Sequence, residues 1–247
     1  MSTTMNVEWD PGLEAYKGRD TTTYVAVAAA TATACAQCRQ PLSAQGPLSL
    51  SVHVTGGPDR DGTEYFTFAP EICHRSCREP SLMFTAKHGE PVEFTPHAAR
   101  LLLEDRAAAT TMAVIVFTYK PTMSFREPGG EMASALVTGL ISQGFQLSMS
   151  ADIGEILSGS GPVADSFTCR MTREGLLTLN AGGAIAFQER LDPADLDEAA
   201  WLGVAGNGTV LVVGGDNLTI NDTNIYLAPA ALLGTLVAGL VSVDVLP

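Results

Sequence analysis

The chain has 247 residues, 46% hydrophobic and 17% charged, which is the composition of a folded protein and excludes a disordered one. Its 27 acidic residues against 14 basic give a formal net charge of −13, which repels phosphate backbones at long range and speaks against a nucleic-acid partner. Residues 1–20 hold no apolar signal-peptide run, and no window reaches the ~18 apolar residues that span a bilayer. The expected location is therefore the cytoplasm, with no membrane partner. Abundant Ala, Gly and Val with few Lys suit a bacterial or phage source.

In chain order, the first informative segment is Cys35-Ala-Gln-Cys38. Gly46–Thr55 then alternates apolar and polar residues and reads as a strand. The Gly- and Pro-rich stretch 56–62 is a turn signal, and Glu64–Phe68 is the returning strand of a hairpin. Next comes Cys73-His74-Arg75-Ser76-Cys77, after Pro70, where a helix is expected to start.

The two short pairs C-x2-C and H-x2-C have the spacing that lets one tight turn offer two side chains to a tetrahedral ion at about 2.0–2.3 Å. Thiolates and imidazole are donors that zinc prefers. Cys35, Cys38, His74 and Cys77 are the expected ligands of one structural Zn2+, with Cys73 as the alternative to His74. The competing reading is that these thiols are ordinary buried side chains. Five cysteines, four of them crowded into residues 35–77, do not suit a disulfide scaffold.

The order of knuckle, hairpin and ligand-bearing helix resembles a treble-clef zinc fold. The C-x2-C and H-x2-C pairs are also similar to the first half of a LIM domain. The gap between the pairs is longer here than in that family, and no second zinc half follows. The resemblance covers residues 30–82 and implies a zinc-binding module, not a function.

Beyond that module, two segments align at an offset of 96 residues. Met112–Thr118 faces Gly208–Gly214, Ala135–Ile141 faces Ala231–Val237, and Phe145–Met149 faces Val241–Val245. Upstream, Thr95-Pro96 and Asp192-Pro193 each supply an N-cap and a proline suited to the first helical turn. Hairpins are expected at 81–94, turning at His88-Gly89, and at 175–187, turning at Gly182-Gly183.

These patterns predict an α+β fold in which an N-terminal zinc-knuckle module precedes a duplicated hairpin-helix-strand-helix-strand core. The expected organisation is an N-terminal segment at 1–29, the zinc module at 30–82, one α/β copy at 83–150 and a second at 174–247. Residues 151–173 would link the copies.

Catalytic signatures are missing: no G-x-S-x-G, no H-E-x-x-H and no phosphate loop. Asp192, Asp195, Asp197 and Glu198 fall in the first turns of a predicted helix, where they favour its dipole. Gly214-Gly215 before Asp216 is expected to be a turn at positive φ. Cys169 reads as a core residue, and His53, His88 and His97 as isolated histidines. The segment from Tyr119 and Lys120 to Phe125 and Arg126 is expected to be a contact loop, with Asp216 a further contact residue. The expected function is non-catalytic: a zinc-binding interaction or assembly module whose partner is another protein. The alternatives are an enzyme with a cleft between the two copies and a nucleic-acid-associated zinc adaptor.

Overall fold

The structure is a computed structural model that describes residues 6–43, 45–59, 62–86, 94–105, 110–221 and 224–246. Val7–Glu8 forms β1, Glu14–Lys17 forms α1 and Thr21–Thr31 forms α2. Five strands follow with no helix between them among the described residues: β2 (Leu48–Pro58), β3 (Glu64–His74), β4 (Ser81–Ala86), β5 (Thr95–Asp105) and β6 (Thr110–Lys120). Then come β7 (Thr122–Arg126), β8 (Ala133–Ser134), α3 (Ala135–Ser142), β9 (Gln146–Leu147) and α4 (Ile153–Gly159). The last part holds β10 (Phe167–Thr172), β11 (Leu176–Ala181), β12 (Ala184–Arg190), α5 (Leu196–Ala205) and β13 (Thr209–Gly215). It closes with β14 (Thr219–Ile220), β15 (Ile225–Tyr226), α6 (Ala228–Leu233) and β16 (Leu236–Leu246).

The chain divides into two compact units, each discontinuous in sequence. One comprises residues 1–95, 119–135 and 217–224, the other 96–118, 136–216 and 225–247.

The first unit is built on a six-stranded sheet of order β1-β2-β3-β7-β8, with β4 also paired to β2. Side chains alternate across a strand, so Leu48, Leu50, Val52 and Val54 share one face of β2 and are all buried. Phe66, Phe68 and Ile72 of β3 join them. Leu13 and the α2 residues Tyr24, Val25 and Ala28 cover this face. Tyr16 meets Phe66 and Phe68 edge-on at 5.6 and 5.9 Å. Each fully buried side chain of this kind contributes roughly 2 kcal/mol.

The second unit is built on an eight-stranded sheet of order β12-β11-β10-β16-β13-β6-β5, with β9 paired to β16. Its central strands are continuous apolar runs: every residue of 113–117 and 210–213 is fully buried. Such runs arise where both faces of a sheet are covered. β6 runs parallel to β13 with Ile115 opposite Val212, and β13 runs antiparallel to β16 with Val212 opposite Gly239. Trp201 of α5 packs on this sheet and donates its indole N–H to the Val114 carbonyl at 3.3 Å. At the two ends of the strand order, Arg100 on β5 lies 3.1 Å from Glu189 on β12. The sheet therefore curls until its end strands are joined by an ion pair.

This mostly β architecture overturns the α+β expectation and the duplicated core. Thr95–Asp105, read as a helix from its N-cap and proline, is the end strand β5. Exposure alternates along 101–104, as on a half-covered strand, so tertiary pairing overrides helix propensity here. The supposed copies also differ in pairing. β16 is 11 residues long and pairs with β13 over seven of them, whereas its counterpart β9 has two residues and pairs with β16 itself. β4, read as the first arm of a hairpin, pairs parallel with β2. The turn expected at His88-Gly89 lies outside the described residues. The stretch 151–173 contains α4 and β10, and β10 is paired on both sides, with β11 and β16.

Other expectations hold. β11 and β12 form the antiparallel hairpin around Gly182 and Gly183, whose φ values are 56° and 88°. α5 begins three residues later than read, with Asp195 rather than Asp192 accepting the N-terminal N–H groups of Asp197 and Glu198. Cys169 is buried in β10, and burial lifts its thiol to about 12.

Candidate metal centre

The centre is assembled on a free edge of β3. The neighbouring strand β7 pairs only with residues 64–68, so among the described residues β3 has no strand on that side beyond Phe68. The Ile72 carbonyl points out at this edge and accepts from Ala36 N at 3.0 Å. Backbone polarity alternates along a strand, so Pro70 also faces the free edge and costs the β2–β3 ladder no hydrogen bond. This explains why β3 passes straight through Pro70 to His74. The helix expected there does not form, and the last two ligands sit on a strand end and the turn after it.

The C-x2-C knuckle docks against that edge. Cys35 N donates to Gln40 O at 2.8 Å and Arg39 N to Cys35 O at 2.9 Å, with Arg39 left-handed at φ 63°. Leu42 N bonds Thr33 O at 3.1 Å and closes the base of the turn. On the other side, Cys77 N bonds His74 O at 2.9 Å and Arg78 N bonds the same carbonyl at 3.2 Å. The two turns face each other.

Cys35, Cys38, His74 and Cys77 thereby converge, with all four donor atoms within 4.8 Å of one another. His74 Nδ1 is 3.4 Å from Cys38 Sγ and 3.8 Å from Cys77 Sγ. A tetrahedral ion with bonds of about 2.0–2.3 Å needs ligand-to-ligand separations of roughly 3.5–3.8 Å. These residues fit a metal ion.

The electrostatics point the same way. Cys35 is buried, which opposes its thiolate, yet N–H groups of Cys38, His74 and Gln37 bring its thiol down to about 5. His74 N lies 3.5 Å from the Cys35 sulfur. Cys77 moves the other way, to about 11, because of Cys38, then burial and the nearby Cys35. Adjacent sulfurs cannot all ionise without a cation to offset them.

The far ring nitrogen of His74 is also placed. Nε2 is 3.2 Å from the Pro41 carbonyl. A carbonyl only accepts, so Nε2 carries the proton and Nδ1 keeps its lone pair toward the sulfurs. No spacing rule in the sequence marks Pro41 as the group that orients His74. Cys73 is not one of the four: it is buried in β3, opposite Ser49, and burial followed by the charge of Cys35 raises its thiol.

Arg75 and Arg78, on the turn facing the knuckle, are engaged by carboxylates. Arg75 bonds Glu8 at 2.8 Å and lies 3.4 Å from Glu79, while Arg78 pairs with Glu71 and reaches Gln37 at 3.1 Å. Tyr119, Lys120, Phe125 and Arg126 all belong to the first unit, and 122–126 is strand β7 rather than a loop. Arg126 pairs with Glu64, and Phe125 packs against Tyr65 at 6.1 Å. Asp216 belongs to the second unit and is buried. His53 bonds Thr85 at 2.8 Å across β2 and β4. No helix is long and apolar enough to cross a membrane among the described residues. Comparison with family models, curated proteins and solved structures finds no match to this chain.

Proposed function

We propose that this chain is a non-catalytic zinc-binding protein in which the metal is structural and the task is to engage another protein. The convergence of three sulfurs and His74 Nδ1 within 4.8 Å of one another carries the metal half of this reading. Four protein donors close a tetrahedral shell and leave no position for a reacting water. Soft donors of this kind favour zinc over magnesium or calcium. The ion would fasten the knuckle at 33–42 to the end of β3, where the Ala36 N–H also bonds the Ile72 carbonyl and Arg78 reaches Gln37.

The protein-partner half rests on charge. With a net charge of −13 and with Arg75 and Arg78 matched by carboxylates, the surface around the knuckle disfavours a phosphate backbone. Arg126, expected in a contact loop, is occupied by Glu64.

Metal analysis of the full chain purified under reducing conditions tests the zinc assignment, with about one zinc per chain expected. A metal-free protein that remains fully folded would overturn it. Substitution with cobalt adds a geometric readout, because tetrahedral thiolate sites give intense visible bands and open octahedral sites do not.

A further inference from the structure

We infer that the second unit carries a docking groove for an extended, basic segment of a partner protein, running between the free edge of β5 and helix α5. The inference rests on the protein-engaging role proposed above and gives that role a place and a partner chemistry.

The groove has a volume of about 520 Å³. Three consecutive β5 residues, Arg100, Leu101 and Leu102, line one side. Side chains alternate faces along a strand, so three in a row mark the strand's edge and its backbone groups. β5 is the end strand of its sheet among the described residues, and apart from the Arg100–Glu189 side-chain pair that reaches β12, no strand is bonded to its outer edge there. The opposite wall comes from α5, with Trp201 buried behind it and Asp197 and Glu198 along it. Leu102 is 37% exposed and Leu196, at the start of α5, is 86% exposed. Leu101 and Leu102 thus stand at a backbone edge with no strand partner, as strand-adding peptide sites require.

Charge decides what fits. The single cation of the groove, Arg100, is already matched by Glu189 and Glu198 at 3.1 Å each. Asp195 and Asp197 have no cationic partner among the described residues, and Glu104 is exposed on the same strand. A second copy of this chain, at net charge −13, would bring acid to acid. A strand alternating Lys or Arg with apolar residues would satisfy the backbone edge, cover Leu102, and offset the carboxylates.

The test is selection of a random peptide display library on the full chain, followed by binding measurements with the enriched peptides. Enriched sequences should be basic with alternating apolar residues. Their affinity should fall by at least about tenfold on Asp197→Lys and on Leu102→Asp. It should vanish when alternate peptide nitrogens are methylated, because methylation removes the strand-pairing donors. Asp197→Lys alters an exposed helix position, so it keeps the test decisive if Leu102→Asp unfolds the unit. Acidic or patternless enrichment, no enrichment, or binding indifferent to Asp197→Lys or to methylation would each overturn the groove. Metal content reports separately on the zinc reading. A chain that holds its metal and selects no basic strand sinks the groove alone. A metal-free chain that selects one sinks the zinc alone.

Discussion

His74 and Pro41 face each other across the knuckle, with Nε2 of the histidine 3.2 Å from the proline carbonyl. That contact turns Nδ1 toward Cys38 and Cys77 and makes the imidazole a pre-oriented donor. His74→Ala should therefore lower zinc affinity by roughly 10- to 100-fold or more, the scale seen when an oriented ligand shell is disturbed. His74→Cys supplies a fourth thiolate without the Pro41 contact and should retain the metal. Competition with a chromophoric chelator measures both.

Cys38→Ser and Cys77→Ser remove donors from the converged set and should leave zinc content well below one per chain. Cys73→Ser should leave it unchanged, since Cys73 stands outside the set. Equal zinc loss in Cys73→Ser and Cys77→Ser, measured by metal analysis on folded protein, would mean the ligands are misassigned.

Chelation should act locally. β2 and β3 are held by their own ladder and by the apolar core under α2, neither of which needs the ion. Hydrogen exchange after metal removal should accelerate at residues 33–42 and 74–78 and stay slow at 48–56 and 113–117. Cys38 and Cys77 are exposed and should then react with thiol reagents, while the buried Cys169 stays protected until global unfolding.

Arg100 is 17% exposed and joins β5 to both β12 and α5. Arg100→Ala strands two carboxylates and should cost about 2 kcal/mol, read as a lower denaturant midpoint. The Glu198 carboxyl is held below the ordinary carboxylate range by the Asp192 backbone N–H, with which it pairs, and by Arg100. A carboxyl lowered on folding adds stability above its unfolded pKa and loses it as pH falls through the folded value. Melting temperature should therefore drop more steeply in acid for the native chain than for Glu198→Gln.

Gly215→Ala tests the close approach of β13 and the turn before β16. Neither Gly214 nor Gly215 has positive φ, so the turn expected from their sequence is absent and both end a paired strand. A Cβ on Gly215 would lie 2.1 Å from the Thr235 carbonyl oxygen, which is backbone and cannot swing away. The substitution should destabilise by roughly 3 kcal/mol or more, a scale typical of overpacking and strain. A melting curve equal to the native one would show that the backbones can part.

The sequence alone determined the donor chemistry of the centre. C-x2-C and H-x2-C are local spacings, and a two-residue gap constrains geometry wherever the chain later goes. It also determined the buried strands at 113–117 and 210–213 and the Gly182-Gly183 hairpin, because apolar runs and positive-φ glycines are written in consecutive residues. Only the tertiary structure decided the rest. Thr95–Asp105 has helix-forming residues and a helix-like start, yet a neighbouring strand makes it β5. β3 extends through Pro70 because β7 stops at Phe68 and leaves that edge free. The ion pair between Arg100 and Glu189 arises because a long sheet curls. Each of these outcomes is set by a partner distant in sequence, and pairing energies between remote segments outweigh the few tenths of a kcal/mol per residue that local preference supplies.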